Sequence, residues 1–268
     1  MAARKDGPSL WERLERPTPT PRQTLSPRRI AATAVAVADA EGLDAITMRR
    51  LATELGVAPM AAYRYVSGKD DLLELMVDHV YAELELPSGT AGWRETLREI
   101  ALSTRRLMLR HLWLAQLPAG ATLALTPNRT AVSERSLAAL AEQGVDPDTA
   151  MAVAATVSSY TGGMTGAEIA MRQVMAGQGW SDEEEVYTSL APQLTYLLDT
   201  GRYPAFKRYI FEGRRKKDPD WQFETGLEYV LDGIAARMTS SPPMSPRDDA
   251  VRREDETGRQ DRHETEGS

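Results

Sequence analysis

Aromatic rings and positively charged groups are concentrated in residues 60–69 of this 268-residue sequence. The residues that could do chemistry there are Met60, Ala61, Tyr63, Arg64, Tyr65 and Lys69. Tyrosine, lysine and arginine donate hydrogen bonds to phosphate oxygens, and arginine also pairs with the edge of guanine. A short helix that exposes such groups fits the major groove of B-DNA, which is about 12 Å wide. This chemistry requires a rigid support from the flanking sequence.

Residues 47–69, TMRRLATELGVAPMAAYRYVSGK, predict two short helices that meet at a tight corner. Thr47 suits the N-cap of the first helix, and Gly56 follows where a left-handed residue ends a helix at low cost. Pro59 suits the first turn of the second helix. The positions that would face inward are small or aliphatic: Leu51, Ala52, Leu55, Ala62 and Val66. The spacing is typical of a helix-turn-helix, although similar corners occur in all-α proteins that never touch DNA.

Cap residues predict further helices along the chain, and no alternating strand pattern accompanies them. The starts are marked by Ser26-Pro27, Asp146-Pro147, Asp218-Pro219, and Ser181 with Glu184. The long helix after Asp146 contains Gly162, Gly163 and Gly166, which we expect to permit a kink or the close approach of another helix. Packing against a partner subunit is one such use. The sequence predicts an all-α fold.

Composition and charge exclude several classes of protein. With no cysteine, the chain has no disulfide, zinc–thiolate site, iron–sulfur cluster or cysteine nucleophile. No segment is apolar enough for a membrane span, so we expect a cytoplasmic protein with no membrane partner. The net charge is −7, yet residues 1–69 hold 11 Lys/Arg against 7 Asp/Glu, a balance of +4 that leaves −11 for the rest. A basic N-terminal part is compatible with phosphate contacts.

The stretch AEGLDAIT followed by MRRLATELGVAPMAAYRYVSGKDDLLELM resembles the N-terminal domain of the TetR family of bacterial transcriptional regulators, over about residues 26–80. Farther on, GWRETLREIALSTRRLMLRH and YTGGMTGAE are similar to the effector-binding and dimerisation domain of the tetracycline-repressor subgroup. The resemblance implies an all-α homodimer that places two recognition helices in successive major grooves of a near-palindromic operator on bacterial nucleoid DNA. A small molecule in the larger domain would swing the linking helix and separate those helices.

The resemblance also assigns DNA-contacting positions, which are Thr47, Arg49, Met60, Ala61, Tyr63, Arg64, Tyr65 and Lys69. Thr47 and Arg49, which open the first helix, match backbone or base contacts. Met60 and Ala61, which open the second helix, match base contacts. The two tyrosines and the lysine match phosphate contacts. Arg64 replaces a residue that is often aromatic in the family, and the sequence leaves open whether it reads guanine or holds a phosphate.

Polar residues on apolar helix stripes are the candidates for an effector site. His111 falls on the stripe of its predicted helix, and Glu168 holds a comparable position on the methionine-lined helix. We expect a mostly apolar pocket, with walls and orienting groups drawn from His111, Trp113, Gln116, Thr156, Tyr160, Met164, Glu168 and Met171. The alternative is an ordinary packed bundle with a satisfied histidine and a solvated glutamate.

Tetracycline repressors bind a magnesium chelate of the drug, but the match at the metal-binding positions fails here. The histidine that follows the recognition-helix tyrosine in that subgroup is Tyr65 in this chain, and His111 falls away from the second metal-binding position. We therefore predict neither tetracycline nor magnesium, and no metal or cofactor.

These observations predict four regions and one function. We expect a flexible arm over 1–24, with a short helix around Leu10–Leu14, a helix-turn-helix domain over 25–72, an effector-binding and dimerisation domain over 73–238, and a disordered tail over 239–268. The predicted function is a repressor released from its operator by a small hydrophobic effector. A dimeric adaptor without sequence-specific DNA binding is the alternative. No catalytic residue is predicted, since neither a G-x-S-x-G elbow nor a nucleophile paired with a histidine occurs.

Overall fold

The computed structural model describes residues 9–15 and 25–240 of the chain. These residues form helices and connecting turns without a β-strand, which confirms the predicted all-α fold. The expectations for residues 1–8, 16–24 and 241–268, including most of the arm and the tail, lie outside the described residues.

Helices follow one another with short connections throughout the described part. In chain order they are α1 (Leu10–Glu15), α2 (Pro27–Glu41), α3 (Met48–Leu55), α4 (Pro59–Ala62), α5 (Lys69–Tyr81), α6 (Trp93–Arg110), α7 (Ala119–Thr122), α8 (Pro127–Ala141), α9 (Pro147–Gln178), α10 (Glu183–Asp199), α11 (Pro204–Glu212) and α12 (Pro219–Ser240). A 3₁₀ turn spans Leu43–Ala45, and a second 3₁₀ element, here called the 3₁₀ segment, spans Leu112–Gln116. None of the described helices is long and apolar enough to cross a membrane.

The chain divides into two compact units, Met1–Leu231 and Asp232–Ser268. The first unit contains α1 to α11 and α12 as far as Leu231. Of the second, residues 232–240 are described, and they are the last turns of α12. The predicted boundary between a DNA-binding and an effector-binding domain near residue 72 remains a prediction.

The N-terminal helices, α2 to α4 with the start of α5, are called the reading head below. The Ser26 side chain caps α2 by accepting a hydrogen bond from the Arg29 amide at 3.2 Å. The Thr47 hydroxyl caps α3 by accepting from the Arg50 amide at 3.1 Å. Gly56 ends α3 with φ +66°, in the left-handed region where glycine is favoured. These caps match the predicted ones, and Ala62 and Val66 are fully buried as expected.

The short helix α1 packs against the reading head. Leu10 is buried in a cluster with Ala31, Val66 and Leu75, so it touches α2, the end of the corner and α5. Arg13 also forms an ion pair with Asp71. Residues 9–15 are therefore docked on the reading head by apolar burial and a charge pair, in contrast to the flexible arm that the sequence suggested.

Helix α5 links the reading head to the larger bundle. Its buried residues are Leu72, Leu73, Glu74, Leu75, Met76, Val77 and Val80. The sequence predicted a linking helix that continues to Leu86, but α5 ends at Tyr81. Two tight turns follow, because the Glu83 and Leu84 amides donate to carbonyls three residues earlier, at 3.0 and 3.2 Å.

The long helix α9, 32 residues, packs on α6 and α8 and forms the centre of the bundle. Its buried residues are Ala150, Val153, Val157, Thr161, Thr165 and Ile169. Met164 and Met171, which were expected on this stripe, are exposed. The buried stripe includes Thr161 and Thr165, two polar residues that the apolar pattern did not predict. An added Cβ at Gly162, Gly163 or Gly166 would meet nothing within 4 Å beyond the adjacent turns of α9, so these glycines serve no close approach among the described residues.

Other helix starts differ in detail from the predicted ones. Helix α10 is capped by Asp182, whose carboxylate accepts from the Glu185 amide at 3.2 Å, whereas Ser181 with Glu184 was expected. Ser181 instead donates its hydroxyl to the Glu185 carboxylate at 3.1 Å. The sequence analysis did not identify α7, α8 or α11, although Thr126-Pro127 before α8 is a start signal of the same kind as Ser26-Pro27.

Candidate functional site

The outer face of the helix-turn-helix carries most of the residues that the sequence assigned to DNA. Thr47, Arg49, Met60, Tyr63, Arg64 and Lys69 are exposed. Met60 is the most open of the apolar ones, with 73% of its surface accessible. Because α3 and α4 hold these residues on a buried aliphatic core, they form one rigid surface.

Ion pairs separate the charges of the reading head into two groups. Residues 25–72 contain six Lys/Arg and six Asp/Glu, which nearly cancel. Arg50 is bound by both Glu41 and Glu54, at 2.7 and 2.8 Å. Asp71 accepts from the Ser67 amide at 2.9 Å at the start of α5. The net charge of residues 25–72 is therefore near zero, although basic groups remain available on the outer surface.

In contrast, Arg49, Arg64 and Lys69 make no side-chain ion pair within residues 9–15 and 25–240. These cations lie on the exposed face of the helix-turn-helix, next to Met60 and Tyr63. The arrangement supplies positive charge where phosphates would lie, without an internal carboxylate to compete for it.

Two of the assigned DNA contacts are placed differently from the expectation. Tyr65 is half-buried, and its hydroxyl donates to the Leu25 carbonyl at 3.1 Å. Its single O–H is thereby used within the protein and is not available for the expected phosphate contact in this structure. Ala61 packs against the hydrophobic core and is only partly accessible.

A cavity of about 500 Å³, called the larger cavity below to distinguish it from a second one in the same bundle, is bordered by α5, α6, the 3₁₀ segment, α7, α8 and α9. Its walls are largely apolar, with Val77, Ile100 and Met108 among them. Polar groups also line it: Tyr81, Thr104, Arg129, Ser158 and Thr161. This volume lies within the range of small-molecule sites, which is about 300–1,000 Å³.

Tyr81 and Arg129 form the most polar wall of this cavity. Burial raises the pKa of Tyr81, and the nearby charge of Arg129 lowers it by a smaller amount. The phenol therefore stays protonated at neutral pH and can donate to a ligand. The Arg129 guanidinium lies 5.9 Å from the centre of the Tyr81 ring and donates to the Thr122 carbonyl. Tyr81 ends α5, so this wall is part of the linking helix.

None of the residues predicted to bind the ligand lines the larger cavity. His111 and Trp113 are buried at 5% and 2% exposure and bind Asp39 of α2. Their polar atoms are satisfied by that carboxylate and neither residue lines this cavity, so the structure does not support their expected role in the pocket. His111 better fits the alternative expectation of a histidine whose polar atoms are satisfied. Its partner, Asp39, lies in the reading head.

The remaining predicted ligand residues are also dispersed. Gln116 and Thr156 are exposed, and the Thr156 hydroxyl donates to the Ala152 carbonyl of its own helix at 2.8 Å. Tyr160 donates to the Phe223 carbonyl of α12 at 2.7 Å, and burial raises its pKa. A methyl group at Gly226 would overlap the Tyr160 hydroxyl, so α12 and this tyrosine can approach only because residue 226 lacks a side chain.

A smaller cavity, of about 360 Å³, brings Met164, Glu168 and Met171 together between α9, α10 and α12. Glu168 is not solvated as the alternative reading supposed, since it binds Arg105 at 2.7 Å and Arg172 at 2.6 Å. Burial opposes the charge of Arg105, but hydrogen bonds to Asp220 and Glu168 outweigh it and raise the pKa of the guanidinium. This network joins α6, α9 and α12.

The residues of the larger cavity were missed for an identifiable reason. Thr104 and Met108 lie on the apolar stripe of the helix that leads to His111, and that stripe was interpreted as packing. Arg129 lies on α8, which was not predicted, and Ser158 and Thr161 are not among the residues predicted for the stripe of α9. The overlooked start of α8 at Thr126-Pro127 was the available signal for one of these walls.

Comparisons with known proteins agree with this architecture. The family model described as bacterial regulatory proteins, tetR family, matches residues 30–76, and that described as tetracyclin repressor-like, C-terminal domain, matches residues 86–238. The HTH-type transcriptional repressor DrrR1 of Streptomyces coeruleorubidus is 35% identical over 241 residues, which cover 87% of each chain.

Solved structures show the same fold. ActR of Streptomyces coelicolor in complex with actinorhodin has a TM-score of 0.64 and 30% identity over 80% of this chain and 96% of that chain. BioQ, known from Mycobacterium smegmatis, with its natural double-stranded DNA operator has a TM-score of 0.56 and 25% identity over 80% and 99%. The chain belongs to the TetR family of bacterial regulatory proteins. It is a DNA-binding transcriptional repressor that responds to a ligand.

Proposed function

We propose that the chain acts as a homodimer, that its effector occupies the larger cavity, and that the occupied dimer releases a palindromic operator. The observation that carries this proposal is the enclosure of the cavity by α5, α6, α8 and α9, because α5 runs from the reading head at Lys69 to the cavity wall at Tyr81. A ligand that displaces this wall also displaces the helix that holds the reading head.

We assign DNA contacts to the exposed residues of the reading head. Met60 and Tyr63 lie at the start and end of α4, where recognition-helix residues face base edges and backbone. Arg64 lies past the end of α4 and Lys69 opens α5, so both suit phosphate contacts. Thr47 and Arg49 flank the start of α3 and complete the surface. The solved operator complex of BioQ supports this use of the fold.

The lining of the larger cavity defines the effector class. Aliphatic and methionine walls suit a mainly apolar molecule, while Tyr81, Thr104 and Thr161 offer hydroxyls that orient it. The structure of ActR with actinorhodin supports a small-molecule ligand in a related chain. Met164, Glu168 and Met171 remain candidates only for the smaller cavity.

We place the dimer contact on α9 and α12. Gly163 lies on an open part of α9, and the same helix also exposes the apolar side chains of Met151, at 53%, and Val174, at 52%. Tyr229 of α12 is 72% exposed. Exposed apolar surface of this extent indicates an interface. A second copy of the chain can bury it, because the same surface on two copies is self-complementary in a two-fold dimer. Homodimers are typical of the family, and no catalytic role is assigned to any residue.

A thermal-shift screen of small apolar molecules, with actinorhodin as the first, tests the effector site. The wild-type chain is compared with Thr104→Trp, which fills the larger cavity, and with Met171→Trp, which partly fills the smaller one. A true effector raises the Tm of the wild type and of Met171→Trp, but not of Thr104→Trp. If Thr104→Trp responds like the wild type, the effector lies elsewhere.

A further inference from the structure

A polar cluster with two buried rings joins the reading head to the effector-binding part of the chain. Asp39 lies in the last turn of α2, and its Oδ1 accepts hydrogen bonds from His111 Nδ1 and from Trp113 Nε1, both at 2.8 Å. His111 and Trp113 are nearly inaccessible, whereas the Asp39 side chain is 32% exposed. These three residues are called the Asp39 cluster below.

The same short stretch of chain also lines the larger cavity. Trp113 is followed by Leu114 and Ala115, which both contribute to the cavity wall, as does Leu117 just after the 3₁₀ segment. The Trp113 ring lies in the hydrophobic core that contains residues of α2 and α5. Because the 3₁₀ segment holds Asp39 on one side and the cavity on the other, its displacement changes the hydrogen bonds to Asp39.

The cluster reaches the linking helix as well. His111 Nε2 lies 3.3 Å from a carboxylate oxygen of Glu83, just beyond the end of α5. Arg110 binds the same carboxylate at 3.2 Å. The cluster thus links the 3₁₀ segment to the end of α2, in the reading head, and to Glu83, just beyond the end of α5.

A purely structural contact at this position could be made by apolar side chains. A carboxylate that accepts two directional hydrogen bonds from buried rings is different, because a shift of a few tenths of an ångström weakens them. These hydrogen bonds are either formed or broken, which gives the contact between the 3₁₀ segment and α2 two discrete arrangements.

We propose that Asp39 is a positioning residue that passes a displacement of the 3₁₀ segment directly to α2, in parallel with the route through α5. The inference rests on the proposed function, since it takes the larger cavity as the effector site. Occupation of the cavity pushes the 3₁₀ segment, Trp113 and His111 carry Asp39 with them, and α2 rotates the reading head away from its operator position.

The test is a double-mutant cycle read by operator affinity, and it needs no effector. Ala115→Phe places a ring at the wall of the larger cavity on the 3₁₀ segment and so imitates occupation. We combine it with Asp39→Ala and, separately, with Trp113→Phe, which removes the indole N–H and keeps an aromatic ring at this position. Asp44→Ala, an exposed carboxylate of the reading head outside the cluster, is the matched control. The Tm of every variant is recorded to separate folding from coupling.

We expect Ala115→Phe to weaken operator binding about tenfold in the wild-type and Asp44→Ala backgrounds, within the usual range of allosteric coupling. In the Asp39→Ala and Trp113→Phe backgrounds the same substitution weakens binding less than about threefold. An equal loss in all four backgrounds would overturn the proposal, and so would a wild-type background that does not respond. Should Asp39→Ala not fold, Trp113→Phe decides. Failure of the unsubstituted chain to bind any operator would contradict the proposed function instead.

Discussion

The side chains of the helix-turn-helix differ in whether their charge is available to DNA. Arg50 is held by two glutamates, whereas Arg64 lies beyond the end of α4 without a carboxylate partner among the described residues. Its position and its available charge favour a phosphate contact over a base contact for Arg64, and this choice remains a prediction.

Arg64→Ala is predicted to weaken binding of operator and unrelated duplexes by a similar factor. The loss of one phosphate contact lowers the slope of log K against log salt by about 1. Arg50→Ala is the control, because its charge is already neutralised by Glu41 and Glu54 and its removal leaves the slope unchanged. Titrations at several salt concentrations measure both. A loss confined to one base pair of the operator would show that Arg64 reads a base.

Tyr65→Phe is predicted to affect folding and not the salt slope. The variant loses the hydrogen bond to the Leu25 carbonyl, which typically contributes about 0.5–1.5 kcal/mol. Urea denaturation measures this loss, with Tyr63→Phe as the control because Tyr63 is exposed. A lower salt slope with unchanged stability would restore the phosphate role of Tyr65.

At the scale of elements, ion pairs connect helices that are distant in sequence. Arg94 and Arg98 of α6 both bind Glu228 of α12, at 2.6 and 2.9 Å. The hydrogen bond from Arg94 lowers the pKa of Glu228 most, burial opposes it by a smaller amount, and the hydrogen bond from Arg98 lowers the pKa further. A carboxylate whose pKa is lowered on folding stabilises the fold above its unfolded pKa, near 4.3, and loses that contribution as the pH falls through the folded pKa.

Glu228→Gln is therefore predicted to remove part of the acid sensitivity of the fold. At pH 7 the variant is less stable by no more than about 1 kcal/mol, because the pair is partly exposed. The difference from the wild type shrinks as the pH falls below about 4.3, and it vanishes below the folded pKa, where Glu228 is protonated in both states. Denaturation midpoints between pH 3 and 7 give the comparison. A constant difference across this range would mean that the ion pair contributes nothing.

Local chemistry explains which elements could be predicted from the sequence. The caps at Ser26, Thr47 and Gly56 are set by neighbouring residues, so they appear in the structure as predicted. The effector residues could not be derived in the same way, because the cavity is assembled from five helices and depends on how each is rotated. His111 illustrates this, since its partner Asp39 is 72 residues away and lies on another helix.

For the whole molecule, the proposed function requires a second copy of the chain. Gly163 faces open space, and α9 and α12 expose apolar side chains. A single head binds one half-site, and a dimer is needed to place two heads on successive turns of DNA.

Gly163→Glu is predicted to separate the dimer, because it places two charges opposite each other where the copies meet. Sedimentation velocity would show a monomer, and operator affinity would fall at least about a hundredfold as one half-site is lost. Gly89→Glu, which adds the same charge at another open glycine, leaves the dimer intact. A dimeric Gly163→Glu would place the interface on a different face.

Operator binding by a dimeric repressor is tested most directly by a footprint of the purified chain on the DNA upstream of its own gene, at two salt concentrations. We expect protection of a palindrome whose half-sites are a whole number of helical turns apart, with binding that weakens steeply as salt rises. Absence of protection at low salt as well as high, on this DNA and on the neighbouring promoters, would contradict it and favour the dimeric adaptor.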